Sequence, residues 1–300
     1  FSPRLSLNYG LTERLSISFN TGIYFQLPSY TLLGYQNTNG DLLNQESLKY
    51  INNKQVVLGM QYATKNNAKL SVEGFLKLYD NYPFLLNDSI SFANLGGDFG
   101  IVGSELADAS SEGRAYGVEF LYQQKLFKGW YGIIAYTLYW SEFKSKTGEY
   151  VPSAWDARHI ISLTGGKKFK KNWEIGARWG IQGGNPYTPY DLVASANPQN
   201  FDATGKGVKN FNLLNTERTK WFHQLNVRVD KKWFFNKWGL NLYFDIQNIY
   251  NFQGEGSPEF TVERDDAGVP ILNTNGTYNG YTFTSGVGTL IPSIGIVVKL

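Results

Sequence analysis

The two histidines are the side chains of this 300-residue chain best suited to acid–base chemistry near neutral pH. His159 follows Asp156 and Arg158, and His223 has no acid beside it. A hydrolase needs a nucleophile within hydrogen-bond reach of its base and an acid to orient that base. No serine or paired carboxylate converges on either histidine, so both are read as polar rim residues and the chain as no enzyme. Cysteine is absent, which removes disulfides, thiolate zinc sites and cysteine nucleophiles. Asp265, Asp266, Asn273 and Asn275 offer oxygen ligands for calcium, but no alternating acidic triad precedes a glycine as in an EF-hand. A solvated acidic loop is expected there, with no metal or cofactor. The run KKFKKN at 167–172 has the composition of a nucleic-acid patch, yet it is one of several basic turns, so no nucleic-acid partner is expected.

The elements that carry these residues follow a period of two. From Leu15 to Phe25 the odd positions are Leu15, Ile17, Phe19, Thr21, Ile23 and Phe25, against Ser16, Ser18, Asn20, Gly22 and Tyr24. Leu240, Leu242, Phe244 and Ile246 repeat the rule, as do Trp173, Ile175, Ala177, Trp179 and Ile181. Such alternation means strands with one oily face. Eleven segments fit, beginning near Ser2, Arg14, Lys54, Ala68, Gly113, Trp130, Ala157, Asn172, Trp221, Lys237 and Gly288. They run about nine to thirteen residues, enough to cross a hydrocarbon layer at a tilt, where ordinary strands average about five or six.

Connections alternate too. Short ones lie near Thr12, Asn66, Lys128, Lys170 and Asn236, and long ones cover 26–52, 83–112, 141–156, 186–220 and 251–287. Antiparallel strands then put every short turn at one end and every long loop at the other, as in an outer-membrane barrel with short periplasmic turns. The expected fold is all-β: an antiparallel transmembrane β-barrel segment of about 11 long strands with long extracellular loops. The long loops hold eighteen of the 25 acids and eight of the 28 bases, a net of −10, which leaves the rest at +13. Lysines at the short turns are expected to face phospholipid headgroups. Trp130, Trp173, Trp233 and Trp238 sit beside those turns as an interfacial girdle would. The most apolar stretch, Trp130 to Trp140, is too short for a transmembrane helix.

Glu73, Glu119, Arg178, Arg228, Asp230 and Asp245 fall on the polar, inward face, because a charge facing mid-bilayer costs about 2–4 kcal/mol. Pairing within the wall or with a plug is their expected role. Inward residues near the outer rim, Tyr24, Gln26, Arg158 and Gln182, are the candidates for touching a solute. The loop aromatics Tyr35, Tyr50, Phe92, Trp155, Tyr187, Tyr190 and Phe201 could stack on a ligand or hold the loops together.

Eleven is an odd number, whereas single-chain bacterial barrels use even numbers, so further strands are expected upstream of Phe1. Residues 1–300 are read as one domain. The segments SPRLSLNYGLTERLSISFNTGIYFQLPSY from Ser2, LSVEGFLKLYDNYP from Leu70 and GRAYGVEFLYQQKL from Gly113 resemble the C-terminal half of a TonB-dependent outer-membrane receptor of the Bacteroidota type. So do YVPSAWDARHIISLTGG from Tyr150, GGNPYTPYD from Gly183 and LNLYFDIQNIYN from Leu240. The resemblance implies a 22-strand barrel with an N-terminal plug, so that plug and first barrel half would be absent here. It implies multi-pass residence in the Gram-negative outer membrane, in contact with lipid and lipopolysaccharide. It also implies uptake of a large scarce solute, such as chelated iron, cobalamin or a glycan, driven by TonB through the plug. Such barrels commonly end on an aromatic residue, and this one ends on Leu300. The rival reading is an outer-membrane adhesin or surface-structural barrel.

Overall fold

The computed structural model describes residues 1–95 and 105–300. Eleven strands form one antiparallel wall in chain order: β1 (Arg4–Gly10), β2 (Leu15–Gln26), β3 (Ile51–Ala63), β4 (Ala68–Leu85), β5 (Ala107–Phe127), β6 (Trp130–Lys144), β7 (His159–Lys168), β8 (Trp173–Gln182), β9 (Phe222–Phe234), β10 (Gly239–Gln247) and β11 (Ile291–Lys299). Each strand pairs with its neighbours in sequence, and β1 does not pair with β11, so the sheet is open.

Turn chemistry sets the short connections. Between β5 and β6 the chain reverses through Lys128 (φ 50°) and Gly129 (φ 86°), the two positive φ angles of a two-residue hairpin turn. A Cβ on Gly129 would meet the Lys168 carbonyl at 2.8 Å, so both the dihedral and the neighbour require glycine there. Lys171 and Asn172 take the same left-handed conformation between β7 and β8.

Register carries the two-residue period across the wall. Ile17 lies opposite Met60 and Tyr9, Met60 opposite Val72, and Val72 opposite Phe120. The next inward row is Ser18, Gly59, Glu73, Glu119 and Thr137. Large side chains of the apolar face stay open: Leu58 is 61% exposed, and Val118, Ile134, Phe244 and Ile294 are also exposed. No helix among the described residues is long and apolar enough to cross a membrane.

Strand lengths depart from the expected range. β4, β5 and β6 have 18, 21 and 15 residues, and β1 has seven. About ten residues suffice to span a hydrocarbon layer at the usual tilt, so these three strands are longer than such a crossing needs. The two-residue alternation ends at Asn81 (φ 56°) and at the register shifts between Tyr79, Tyr82 and Phe84. Hence the loop expected over 83–112 is framed by strand at both ends, and its residues 96–104 lie outside the described ones. Likewise Ser141–Lys144 and Tyr150–Pro152 are strand inside the loop expected at 141–156. The last strand begins at Ile291 rather than Gly288, whose backbone (φ 147°) lies too close to the Phe252 carbonyl to take a side chain.

The buried cores lie among the loops. Leu32, Leu48, Leu85 and Ala107 are buried with Leu33, Phe92 and Leu95 against them, joining loop 27–50 to residues 85–95 and to the start of β5. Phe201, Phe260 and Val262 are buried with Tyr190 and Tyr278, joining loops 183–221 and 248–290. The second core rests on a short helix, Pro198–Thr204, with Asn197 capping the Gln199 N–H, Pro198 in the first turn and Gly205 in the left-handed conformation after the last. Opposite it, Glu259–Val262 pairs with Gly280–Phe283.

Candidate functional site

At the outer ends of β2 to β6 the polar face opens into a cleft of about 340 Å³. Tyr24, Gln26, Asn53, Tyr79, Ser141 and Phe143 line it together with Tyr82 and Trp155. No side chain of that lining is a carboxylate or a cation. Tyr82 packs on Phe143 with ring centroids 4.6 Å apart and edge-on to Tyr79 at 6.3 Å, so the floor is aromatic. Arg4 covers one face of Tyr24, its guanidinium 4.4 Å from the ring centre. The Asn53 amide oxygen is buried and has no hydrogen-bond partner among the described residues. The cleft offers ring faces, amides and hydroxyls.

Two of the four predicted solute contacts, Tyr24 and Gln26, are therefore neighbours in one cleft. Gln182 is inward as well, in the row of Ile160 and Phe222, and donates to Asn185 at 3.1 Å. Arg158 departs from the inward face expected of it. Its left-handed backbone (φ 66°) breaks the alternation just before β7, and its guanidinium lies 4.9 Å over Trp140, whose row holds Tyr116 on the outward face.

Arg158 belongs instead to a latch beneath the loops. Asp156 is fully buried, and its Oδ2 accepts from Arg158 and Arg218 at 2.9 Å each. Arg218 also donates to the backbone carbonyls of Asp156 and Gly184. One carboxylate thus ties loop 145–158 to loop 183–221. Nearby, the Asn215 amide donates to the carbonyls of Asn94 (2.7 Å) and Pro152 (2.8 Å), and the Asn94 amide donates to Pro152 as well. These contacts link the two loop cores. Asp156, Asn215 and Arg218 carry no group signal in the sequence, because Arg218 meets Asp156 from 62 residues away and Asn215 donates to backbone carbonyls 63 and 121 residues away. The positive φ of Asn215 (53°) was the one local signal, in a residue type that tolerates it.

The second loop body contains a cation. Lys209 sits 3.6 Å over the Tyr190 ring and donates to the Thr188 carbonyl. Burial pushes its ammonium below the usual lysine range, and nearby Glu259 partly offsets this. Burial likewise raises the Tyr190 hydroxyl, against an opposing hydrogen bond from the Phe260 backbone. Phe92, Tyr190 and Phe201 are spent on holding loops together, whereas Tyr50 and Trp155 remain exposed.

Lower on the polar face, Arg228 makes a two-pronged pair with Asp230 at 2.9 Å and stacks on Tyr243 at 3.8 Å. Glu174 accepts from Lys232 at 2.7 Å and Tyr131 at 2.6 Å. Pairing within the wall therefore holds for Arg228 and Asp230, while among the described residues Glu73, Glu119, Arg178 and Asp245 make no ion pair. Glu73 and Glu119 are direct cross-strand partners.

Neither histidine sits in a catalytic arrangement. His159 stacks on Trp221 at 5.3 Å and meets the Tyr136 hydroxyl at 3.0 Å. His223 packs 3.9 Å from the Phe252 ring and meets the Tyr250 hydroxyl at 2.8 Å. Both fall in outward rows, beside Leu138 and Ile181, as parts of an aromatic belt. The acidic loop residues serve turns: Asp265 accepts from the Ala267 and Val269 N–H groups, and Asn275 from Thr277.

Residues 1–249 match the family described as TonB dependent receptor-like, beta-barrel. Similar solved structures include the ferric-catecholate import receptor Fiu from K12 E. coli (13% identity, TM-score 0.56, 97% of this chain and 34% of that one). Others are the ferripyoverdine receptor of the outer membrane of Pseudomonas aeruginosa (14%, 0.59, 99% and 33%) and the unliganded ferric citrate transporter FecA (14%, 0.60, 99% and 38%). At these identities the likeness is one of fold, and the chain spans about a third of the length of those receptors. No curated protein sequence matches the chain significantly. An eleven-strand antiparallel wall, polar on one face and braced by long loops at one end, thus accounts for the match, and the chain belongs to the TonB-dependent receptor β-barrel family, whose members are transporters and not enzymes.

Proposed function

We propose that these residues form part of the wall and the solute-capturing loops of an outer-membrane importer for a large scarce solute: chelated iron, cobalamin or a glycan. The cleft around Tyr24 carries the reading, because it joins the polar face of the wall to the underside of the braced loops. Tyr24, Gln26 and Gln182 are the proposed solute contacts on the wall. The unpaired edges of β1 and β11 support membership in a larger barrel, since lipid offers a strand edge no hydrogen bonds. Drive from TonB through a plug, and contact with lipopolysaccharide outside the wall, complete the proposal.

The test uses the full-length receptor in an outer membrane. Uptake of ferric citrate, cyanocobalamin and maltohexaose is measured for the unaltered protein and for a double variant, Tyr24→Ala with Trp155→Ala. Uptake of one of the three, reduced at least tenfold in the variant at equal surface abundance, is the expected result. Uptake of none, or equal uptake by the variant, overturns it.

A further inference from the structure

The lipid-facing side of the wall carries a groove that the transport reading does not use. Across β6, β7 and β8 the residues Gly132, Gly165 and Ala177 are consecutive register partners on the outward face. The row toward the loops is Ile134, Leu163 and Trp179, and the row toward the short turns is Trp130, Lys167 and Ile175. Two ridges of large side chains therefore enclose a furrow floored by hydrogens and one methyl group, with a volume of about 600 Å³. Water does not reach such a furrow in a membrane, so an alkyl chain is what fills it with the dispersion contacts that its walls would otherwise lack.

Lys167 supplies the second observation. Two lysines near the short turns face outward, Lys167 and Lys231. Lys231 donates to the Lys171 carbonyl. The Lys167 ammonium lies 4.4 Å over Trp130 and 5.3 Å over Phe169, and among the described residues it has no hydrogen-bond acceptor or carboxylate. Ring faces hold a cation in place but leave its N–H donors open. Lys167 is two residues along β7 from Gly165, about 7 Å, which is the offset between a phosphate and the first methylenes of an esterified acyl chain. The surrounding rim is basic, with Lys168, Lys170 and Lys171 next in sequence.

We propose that this groove is a binding site for one glycerophospholipid of the periplasmic leaflet, its phosphodiester on Lys167 between Trp130 and Phe169 and one acyl chain over Gly132, Gly165 and Ala177. The inference rests on the outward assignment of this face and is independent of which solute is carried. The occupant is a phospholipid rather than lipid A because the cation lies at the short-turn rim, opposite the acidic loops. Ala177 is exposed, so filling the furrow there disturbs no wall hydrogen bond.

The full-length receptor is purified in detergent, stripped of weakly held lipid, and titrated with phosphatidylglycerol and, separately, with lipid A, with native mass spectrometry as the readout. One phosphatidylglycerol per protein is expected, with affinity reduced at least tenfold in both Ala177→Phe and Lys167→Met and unchanged in Lys237→Met. Heat-modifiability on a gel confirms that each variant is folded, and Ala177→Leu replaces Ala177→Phe if that variant fails. Equal affinity in Lys167→Met, preference for lipid A, no retained lipid, or a protein dimer that Ala177→Phe dissociates overturns the proposal.

Discussion

The wall and the loops invert the usual division of labour in a folded protein. In the wall, large apolar side chains such as Leu58, Val118 and Ile294 are exposed, and the two buried cores sit instead among the loops around Leu32 and Phe260. The proposed seat of the wall in an outer membrane accounts for the difference through the solvent that each region would meet. Lipid removes the penalty on exposed apolar surface and imposes one on any unpaired backbone group, so the wall is held by its ladder. The loops meet water and lie over an opening, so they must bury apolar area to hold a shape. Two mutation classes therefore separate the regions: cavities harm the loops, and charges harm the wall.

The largest effect is expected from Phe260→Ala, which empties the core shared by Phe201, Val262, Tyr190 and Tyr278. A cavity of that kind costs about 3–5 kcal/mol. Proteolysis and hydrogen exchange should rise across 183–221 and 248–290 while the heat-modifiable form of the full-length receptor is unchanged. Loss of heat-modifiability along with the loops would show that the wall depends on this core.

Asp156→Ala comes next. It leaves Arg158 and Arg218 without their shared carboxylate, and removal of one partner from a buried pair costs about 3 kcal/mol or more. The arginines are about one third exposed, so water recovers part of that and the effect falls below the cavity. Exchange should increase in 145–158 and 183–221 together, and Asp156→Asn should keep part of the protection. Independent loosening of one loop would remove the latch.

The wall has its own test in two adjacent residues. Leu163 is outward and Ser162 inward. Leu163→Arg should cost about 2–4 kcal/mol on insertion into a bilayer, measured by denaturant titration of the folded barrel, and Ser162→Arg much less. Equal costs would mean that the two faces are not distinguished by lipid.

The wall was legible in the sequence and the loops were not, for the same reason. A period of two over ten residues, as in Leu15 to Phe25, is a local signal, and Lys128-Gly129 is a local turn. The core joining Phe201 to Phe260 and the Asn215 amide on the Asn94 carbonyl depend on contacts between distant segments with no repeat. Tyr24 and Gln26 were found as neighbours because parity alone places them. Arg158 escapes that parity because its positive φ ahead of β7 breaks the two-residue period. The extra length of β4 to β6 has no such local signal, because the alternation lapses beyond Tyr79.

The smallest effect concerns charge inside the second loop body. Lys209 is half-buried over Tyr190, and its folded pKa is depressed below the ordinary 10.5. The charged form is thus disfavoured on folding, a penalty fully present below the depressed value and relieved as pH rises through it toward 10.5. Tyr190 works the other way. Burial raises its pKa above the ordinary 10.0, so stability is lost as pH rises through that value and the unfolded phenol ionises. The two partly cancel in the unaltered protein as pH approaches the ordinary values of 10.0 and 10.5. Lys209→Met removes the favourable arm, so the variant's loop protection should fall more steeply on alkaline titration, while at pH 7 it should equal or exceed that of the unaltered protein. The same slope in both proteins would mean that water reaches the Lys209 ammonium as freely as it does in the unfolded chain, and that the loop core ends short of Tyr190.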